Sequence, residues 1–147
     1  MDFKLEDSIN HRIATLSVLL KRQIFRIIAE NKLNITPDQW VVMYYLWQEN
    51  ELSVGELSNR TKKDFANTTR IVDKLEKLGY VNKVKNKKDS RSTNIHILPK
   101  ADEIKETIKN CWKESTDLAM RGISEDDQKS FINIIEKIEK NILENLK

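Results

Sequence analysis

One stretch of this 147-residue chain, Ser53 to Leu98, constrains the fold more than any other. It reads as a short helix, a turn, a second helix and a basic β-hairpin. Ser53-Val54-Gly55-Glu56 sets a hydroxyl at an N-cap and a carboxylate three residues on, a reciprocal pair that satisfies two orphan amide donors and starts a helix reaching about Arg60. Asp64 can cap the next helix, Phe65 to Leu78, whose apolar stripe is Ile71, Val72, Leu75 and Leu78, and Gly79 supplies the left-handed residue at which such a helix stops. Ahead of the stripe, Ala66-Asn67-Thr68-Thr69-Arg70 are small and polar and are expected to face outward. Tyr80, Val81 and Val84 are expected to pair with Ile95, Ile97 and Leu98 across a charged loop, and Pro99 removes a ladder donor and ends the strand. The pattern is that of a helix-turn-helix, about 53–78, followed by a wing, about 80–98, a device suited to reading duplex DNA.

Charge is distributed to match. Eleven Lys and Arg against four acids fall between Arg60 and Arg91, so that segment carries +7 while the formal total is only +3 and the rest of the chain is mildly acidic. A duplex presents about one negative charge per 1.7 Å of axis, so a basic strip on an acidic body is an oriented footprint. A lysine-rich solvated surface is the bland alternative.

The remainder reads as helix. From about Asp7 to Asn31, Ile9, Ile13, Leu16, Leu20, Ile24 and Ile27 recur at steps of three and four, and Leu19, Phe25 and Ile28 widen the stripe enough to suggest two packing partners. Thr36-Pro37-Asp38-Gln39 is a capping box with proline at the first helical position, opening a helix to about Glu49 rich in Trp40, Tyr44, Tyr45 and Trp47. Ile104, Ile108, Cys111, Ser115 and Leu118 line a further helix, interrupted near Gly122. Ser124 with Asp127 then starts a last helix carrying Phe131, Ile135, Ile138, Ile142 and Leu146, nearly a heptad seam that needs a partner. The fold class expected is therefore mainly α with a small β-hairpin wing.

Several classes of function are disfavoured. No run of about 18 apolar residues is available to span a membrane. The start Met1-Asp2-Phe3-Lys4 lacks the features of a signal peptide, and the single Cys111 cannot form an internal disulfide; a cytoplasmic protein is expected. There is no nucleophile elbow, phosphate loop or paired carboxylate in a recognisable setting, so neither an enzyme nor a cofactor is expected. His11, His96 and Cys111 lack the paired spacing of a metal site.

Leu57-Ser58 in the first reading helix, Thr69-Arg70-Ile71-Val72-Asp73-Lys74-Leu75-Glu76-Lys77-Leu78-Gly79-Tyr80-Val81 in the second, and Asp89-Ser90-Arg91 at the wing together resemble the MarR family of winged-helix transcriptional regulators, over a single chain from about Asp7 to Leu146. The resemblance implies an obligate homodimer in which residues 7–31 and 100–146 interlock as dimerisation helices, while each winged part, 36–98, grips half of a palindromic operator. A repressor is the expected sign of regulation; a winged-helix adaptor that has lost DNA is the rival, against which the basic wing argues. The family commonly has Leu-Thr and then glycine after the wing, where this chain has Leu98-Pro99 and Asp102, so the start of the fifth helix is expected to shift by a residue or two.

Asn67, Thr68, Thr69 and Arg70 occupy the turns expected to enter a major groove about 12 Å wide, with Lys74 further along the same helix. Lys85, Lys87 and Lys88 suit phosphates. By the resemblance Arg91 enters a minor groove and Asp89 orients it. His11, Arg12, Trp40, Tyr44, Tyr45, Trp47 and Trp112 are candidates for a crevice that in the family takes small aromatic or phenolic ligands, although aromatics at helical spacing are more often packing. Peroxide-responsive relatives carry a cysteine near the start of the first helix; Cys111 lies elsewhere and reads as an inert thiol.

Overall fold

The computed structural model describes residues 2–146; Met1 and Lys147, the ends of the whole-chain reading, lie outside the described residues. In chain order come α1 (Ile9–Glu30), α2 (Pro37–Glu49), β1 (Glu51–Ser53), α3 (Val54–Thr61), α4 (Phe65–Lys77), β2 (Val81–Lys85), β3 (Thr93–Ile97), α5 (Asp102–Ala119) and α6 (Glu125–Asn145). Both capping boxes form as their sequences dictate. Thr36 accepts from the Gln39 amide while the Gln39 side chain accepts from the Thr36 amide, and Ser53 and Glu56 do the same. Pro99 opens a single 3-10 turn that leads into α5.

The chain packs as two compact units that divide after Ser115. In the first, Val42, Met43, Leu46, Leu57, Val72, Leu75, Ile95 and Ile108 are wholly removed from water, with Ile24, Ile27 and Ile28 of α1 joining the same cluster. A fully buried side chain of this size contributes about 1.5–3 kcal/mol, so this cluster dominates the stability of the reading unit. The α1 stripe changes character along its length: Ile24, Ile27 and Ile28 are buried, whereas Ile9 (69% exposed), Ile13, Leu16 and Leu20 are open. In the second unit, Ser124 caps α6 by accepting from the Asp127 amide, and Glu125, Asp126 and Asp127 complement the positive end of the helix. Along α6, Phe131, Ile134 and Ile142 are exposed, as is Leu146 at its C-cap.

The hairpin wing forms as expected, with one further strand in its sheet and one change of partner to correct. The sheet has three strands in the order β1-β3-β2, because Glu51–Ser53 pairs antiparallel with β3, Leu52 standing opposite Ile95. The hairpin register puts Val81 opposite Ile97 but Val84 opposite Asn94, so Val84 faces solvent instead of an apolar partner. Leu98 follows the strand and donates its amide to the Tyr80 carbonyl at 2.8 Å.

Candidate nucleic-acid interface

The start of α4 is fixed by side chains next to it in sequence. Asp64 accepts from the Asn67 amide at 2.7 Å and, through its other oxygen, from Asn67 Nδ2 at 3.2 Å. Asn67 Oδ1 in turn accepts from the Arg70 guanidinium, and Thr69 Oγ1 donates to the Phe65 carbonyl at 2.9 Å. Ala66, Asn67 and Arg70 are exposed and Thr69 is half-buried, so four of the five residues expected to face outward do so.

Thr68 does not. It is wholly buried, donates to the Asp64 carbonyl at 2.9 Å and accepts from Ser58 Oγ at 2.9 Å, so it locks α4 against α3. Counting back four residues from Val72 puts Thr68 on the packed stripe, and a buried hydroxyl at that position must find partners inside the protein. The turn between the two helices uses Lys62 in the left-handed region at φ 59°, with its ammonium returning to the Asn59 carbonyl at 3.1 Å.

The wing is tied to α4 by a residue not singled out from the sequence. Directly opposite residues of a hairpin share a sheet face, and Lys83, opposite Ile95 and two residues from Val81, lies on the face turned toward α4. Its ammonium pairs with Asp73 and reaches Glu76 at 3.7 Å. The hydrogen bond that Lys83 donates to the Asp73 carboxylate holds its ammonium above the usual lysine range, so the clamp stays charged at neutral pH. At the wing tip, Asn86 Oδ1 accepts from the Lys88 amide at 2.8 Å, and Asp89 Oδ1 accepts from the Arg91 amide at 3.0 Å and from Arg91 Nε at 3.4 Å. Arg91 is otherwise free in solvent, its side chain 93% exposed, alongside exposed Lys85, Lys87 and Lys88. Lys100 closes the C-terminal end of α4 by donating to the Leu78 carbonyl at 2.8 Å, beside Gly79 at φ 82°.

The aromatic group is only partly assembled. Trp40 stacks on Trp112 with centroids 4.2 Å apart and touches Tyr44, which meets Tyr45 edge-on. Trp47 stands apart, donating to Asp102 at 3.2 Å beneath the Lys105 ammonium. The side chains of His11 and Arg12 enter no hydrogen bond, ion pair or ring contact among the described residues. Trp40 Nε1 is buried with no hydrogen-bond partner among the described residues. A cavity of about 470 Å³ lies elsewhere, lined in part by Phe25, Leu33, Ile35, Gln39, Lys74 and Lys77. Lys74 thus borders this cavity, toward the C-terminal half of α4. Cys111 is buried, and burial, with the Glu114 carboxylate adding to it, pushes its thiol up and keeps it protonated. No described helix is long and apolar enough to cross a membrane.

A capped recognition helix whose first turn faces out, a basic wing clamped to its flank, and a helical scaffold beneath both define a winged helix-turn-helix protein. A profile of the MarR family matches residues 35–93. The HTH-type transcriptional regulator BilQ of Clostridioides difficile is 26% identical over 134 residues, covering 90% of this chain and 89% of BilQ. The HTH-type transcriptional regulator YsmB of Bacillus subtilis is 30% identical over 68% of this chain, which spans 64% of YsmB. Among solved structures, a MarR protein from Peptoclostridium difficile superposes with a TM-score of 0.84 at 28% identity, covering 97% of this chain and 92% of that one. BpsR of Bordetella bronchiseptica, at 14% identity and a TM-score of 0.85 over 95% of this chain and 98% of its own, shares the fold. By these comparisons the chain is similar to the MarR family of HTH-type transcriptional regulators, which supports a DNA-binding regulator.

Proposed function

We propose that this regulator acts as a homodimer that reads a palindromic operator and represses by occupying it, with residues 36–98 as the reading part and residues 7–31 and 100–146 as the dimer seam. The observation that carries the reading is the pairing of an outward first turn on α4 with a solvent-exposed basic wing held to the same helix by Lys83. Asn67, Thr69 and Arg70 take the major groove, and Lys85, Lys87 and Lys88 neutralise phosphates. Asp89 presents Arg91 to the adjacent minor groove, where narrow A/T tracts concentrate negative potential. The open apolar half of α1 and the stripe of α6 support the seam, since large apolar side chains left exposed along each of these helices need a cover. Two recognition helices about 34 Å apart then meet successive major grooves on one face of the duplex.

A small aromatic ligand modulates this binding in our reading. Two observations support it: the Trp40 indole N–H, buried without a partner beside the Trp112 stack, and the relative BpsR, whose DNA binding is regulated by 6-hydroxynicotinic acid. Such a ligand shifts the operator equilibrium only by its differential affinity for the two head spacings.

The test is selection and sequencing from a random duplex pool at ~150 mM salt, where non-specific attraction is weak, with sedimentation of the free protein alongside. A palindrome with half-sites about one turn apart and a dimeric mass support the reading. Recovery of no preferred sequence overturns the operator, and a monomer that still selects a single half-site overturns the seam.

A further inference from the structure

Several polar groups in the first turns of α4 are already bonded within the helix, while the Arg70 guanidinium keeps further N–H groups for the major groove. The Asn67 amide and Nδ2 both go to Asp64, its Oδ1 is taken by Arg70, Thr69 Oγ1 donates to Phe65, and Thr68 is inside. What the first turn offers outward without an internal partner is apolar: the ring of Phe65, 63% exposed, and the methyl of Ala66 beside it. Phe65 is also the most exposed large apolar side chain of the segment 36–98, where the others past one third exposed are Tyr44 at 43% and Val84 at 37%. It stands at the first position of α4, and the N-terminal residues of a recognition helix are the ones that reach base edges.

Only one base-edge feature in the major groove is apolar, the C5-methyl group of thymine. We infer that Phe65, with Ala66, is a specificity-determining residue that reads a thymine in each half-site by packing its ring against that methyl group. The inference rests on the operator-reading function proposed above and adds to it the identity of a base and the side chain that selects it. The contact is uncharged, so it changes preference among sequences and leaves the electrostatic part of binding as it was.

The experiment uses the full chain and the duplex recovered by selection. Each thymine of the half-site is replaced in turn by deoxyuridine, which removes the methyl group and keeps every hydrogen-bonding atom, and binding is measured for the wild type, Phe65→Ala and Phe65→Leu. The wild type is expected to lose about fourfold in affinity at one thymine per half-site, the worth of roughly one buried carbon. Phe65→Ala is expected to bind the parent duplex less tightly and to become indifferent to uridine at that position only, while Phe65→Leu keeps part of the response. The dependence of log K on log salt should be the same for all three, since no phosphate contact changes. Because the ring is in solvent in the free protein, circular dichroism should report all three as equally folded. Equal uridine responses of the wild type and Phe65→Ala at every thymine would overturn the inference and leave the operator reading standing. Failure of the wild type to select any sequence overturns both.

Discussion

Replacing Thr68 with valine removes one hydroxyl from the α3–α4 junction and keeps the branched shape. Two hydrogen bonds are lost, to the Asp64 carbonyl and from Ser58 Oγ, each 2.9 Å. The Asp64 carbonyl still receives the Thr68 amide at 3.0 Å, and the half-buried Ser58 recovers part of its hydration. With a net worth of about 0.5–1.5 kcal/mol per bond, the cost is about 1.5 kcal/mol after these compensations. For a chain of this size that lowers Tm by roughly 3–6 °C. Ser58→Ala alone is expected to cost about 1 kcal/mol, and the double variant less than the sum by about 1 kcal/mol, because neither partner is then stranded. Urea unfolding followed by the fluorescence of the three tryptophans, at one fixed protein concentration, measures all four corners of the cycle. Below the unfolding transition, Thr68→Val should keep the wild-type base preference, since the hydroxyl never reaches the DNA. Unchanged stability together with an altered base preference would refute the burial argument and return Thr68 to the reading surface.

Three further outcomes are expected. Arg91→Ala should lower the slope of log K against log salt by about one unit if the guanidinium displaces a condensed counterion, and an identical slope removes it from the contact; Asp89→Asn, which keeps an acceptor oxygen for the Arg91 amide, should leave the slope in place. Ile138→Asp should yield monomers by sedimentation with the helical circular dichroism largely retained, and an intact dimer would exclude this part of α6 from the seam. Cys111 holds its proton in the folded chain while the unfolded thiol releases it near pH 8.5, so stability is unaffected below that value and falls as pH rises through it; Cys111→Ala should remove that part of the slope in urea titrations between about pH 7 and 10.

The parts of the fold that could be read from the sequence are those specified by neighbours in the chain. The capping boxes at Thr36 and Ser53, the Asp64 cap and the left-handed Gly79 each involve residues within four positions, and helix boundaries followed from them. β1 could not be read in the same way: three residues carry no visible alternation, and its pairing with β3 spans more than forty positions. Distance in sequence also hid the Lys83 clamp on Asp73 and the closing of α4 by Lys100, since a lysine in a charged loop looks the same whether it is paired or free. Thr68 is a different kind of miss. Its residue type suggested a donor for DNA, while its position, four residues before Val72 and seven before Leu75, already placed it on the buried face. The aromatic residues were recognisable as a group, but which rings meet depends on the crossing of α2 and α5, and that crossing separates Trp47 from the Trp40–Trp112 stack.

The long first helix has a mechanical consequence. Its 22 residues form a rod of about 33 Å, and the last two turns are gripped by the reading unit through Ile24, Ile27 and Ile28. A head held in this way turns with the rod or opens its own core. Over that length a tilt of about 10° carries the far end by roughly 6 Å, more than one base-pair step of about 3.4 Å. In the dimer proposed above, an adjustment of about 10° where two such rods meet would therefore carry a head by more than one base-pair step along the duplex, with no rearrangement inside either head.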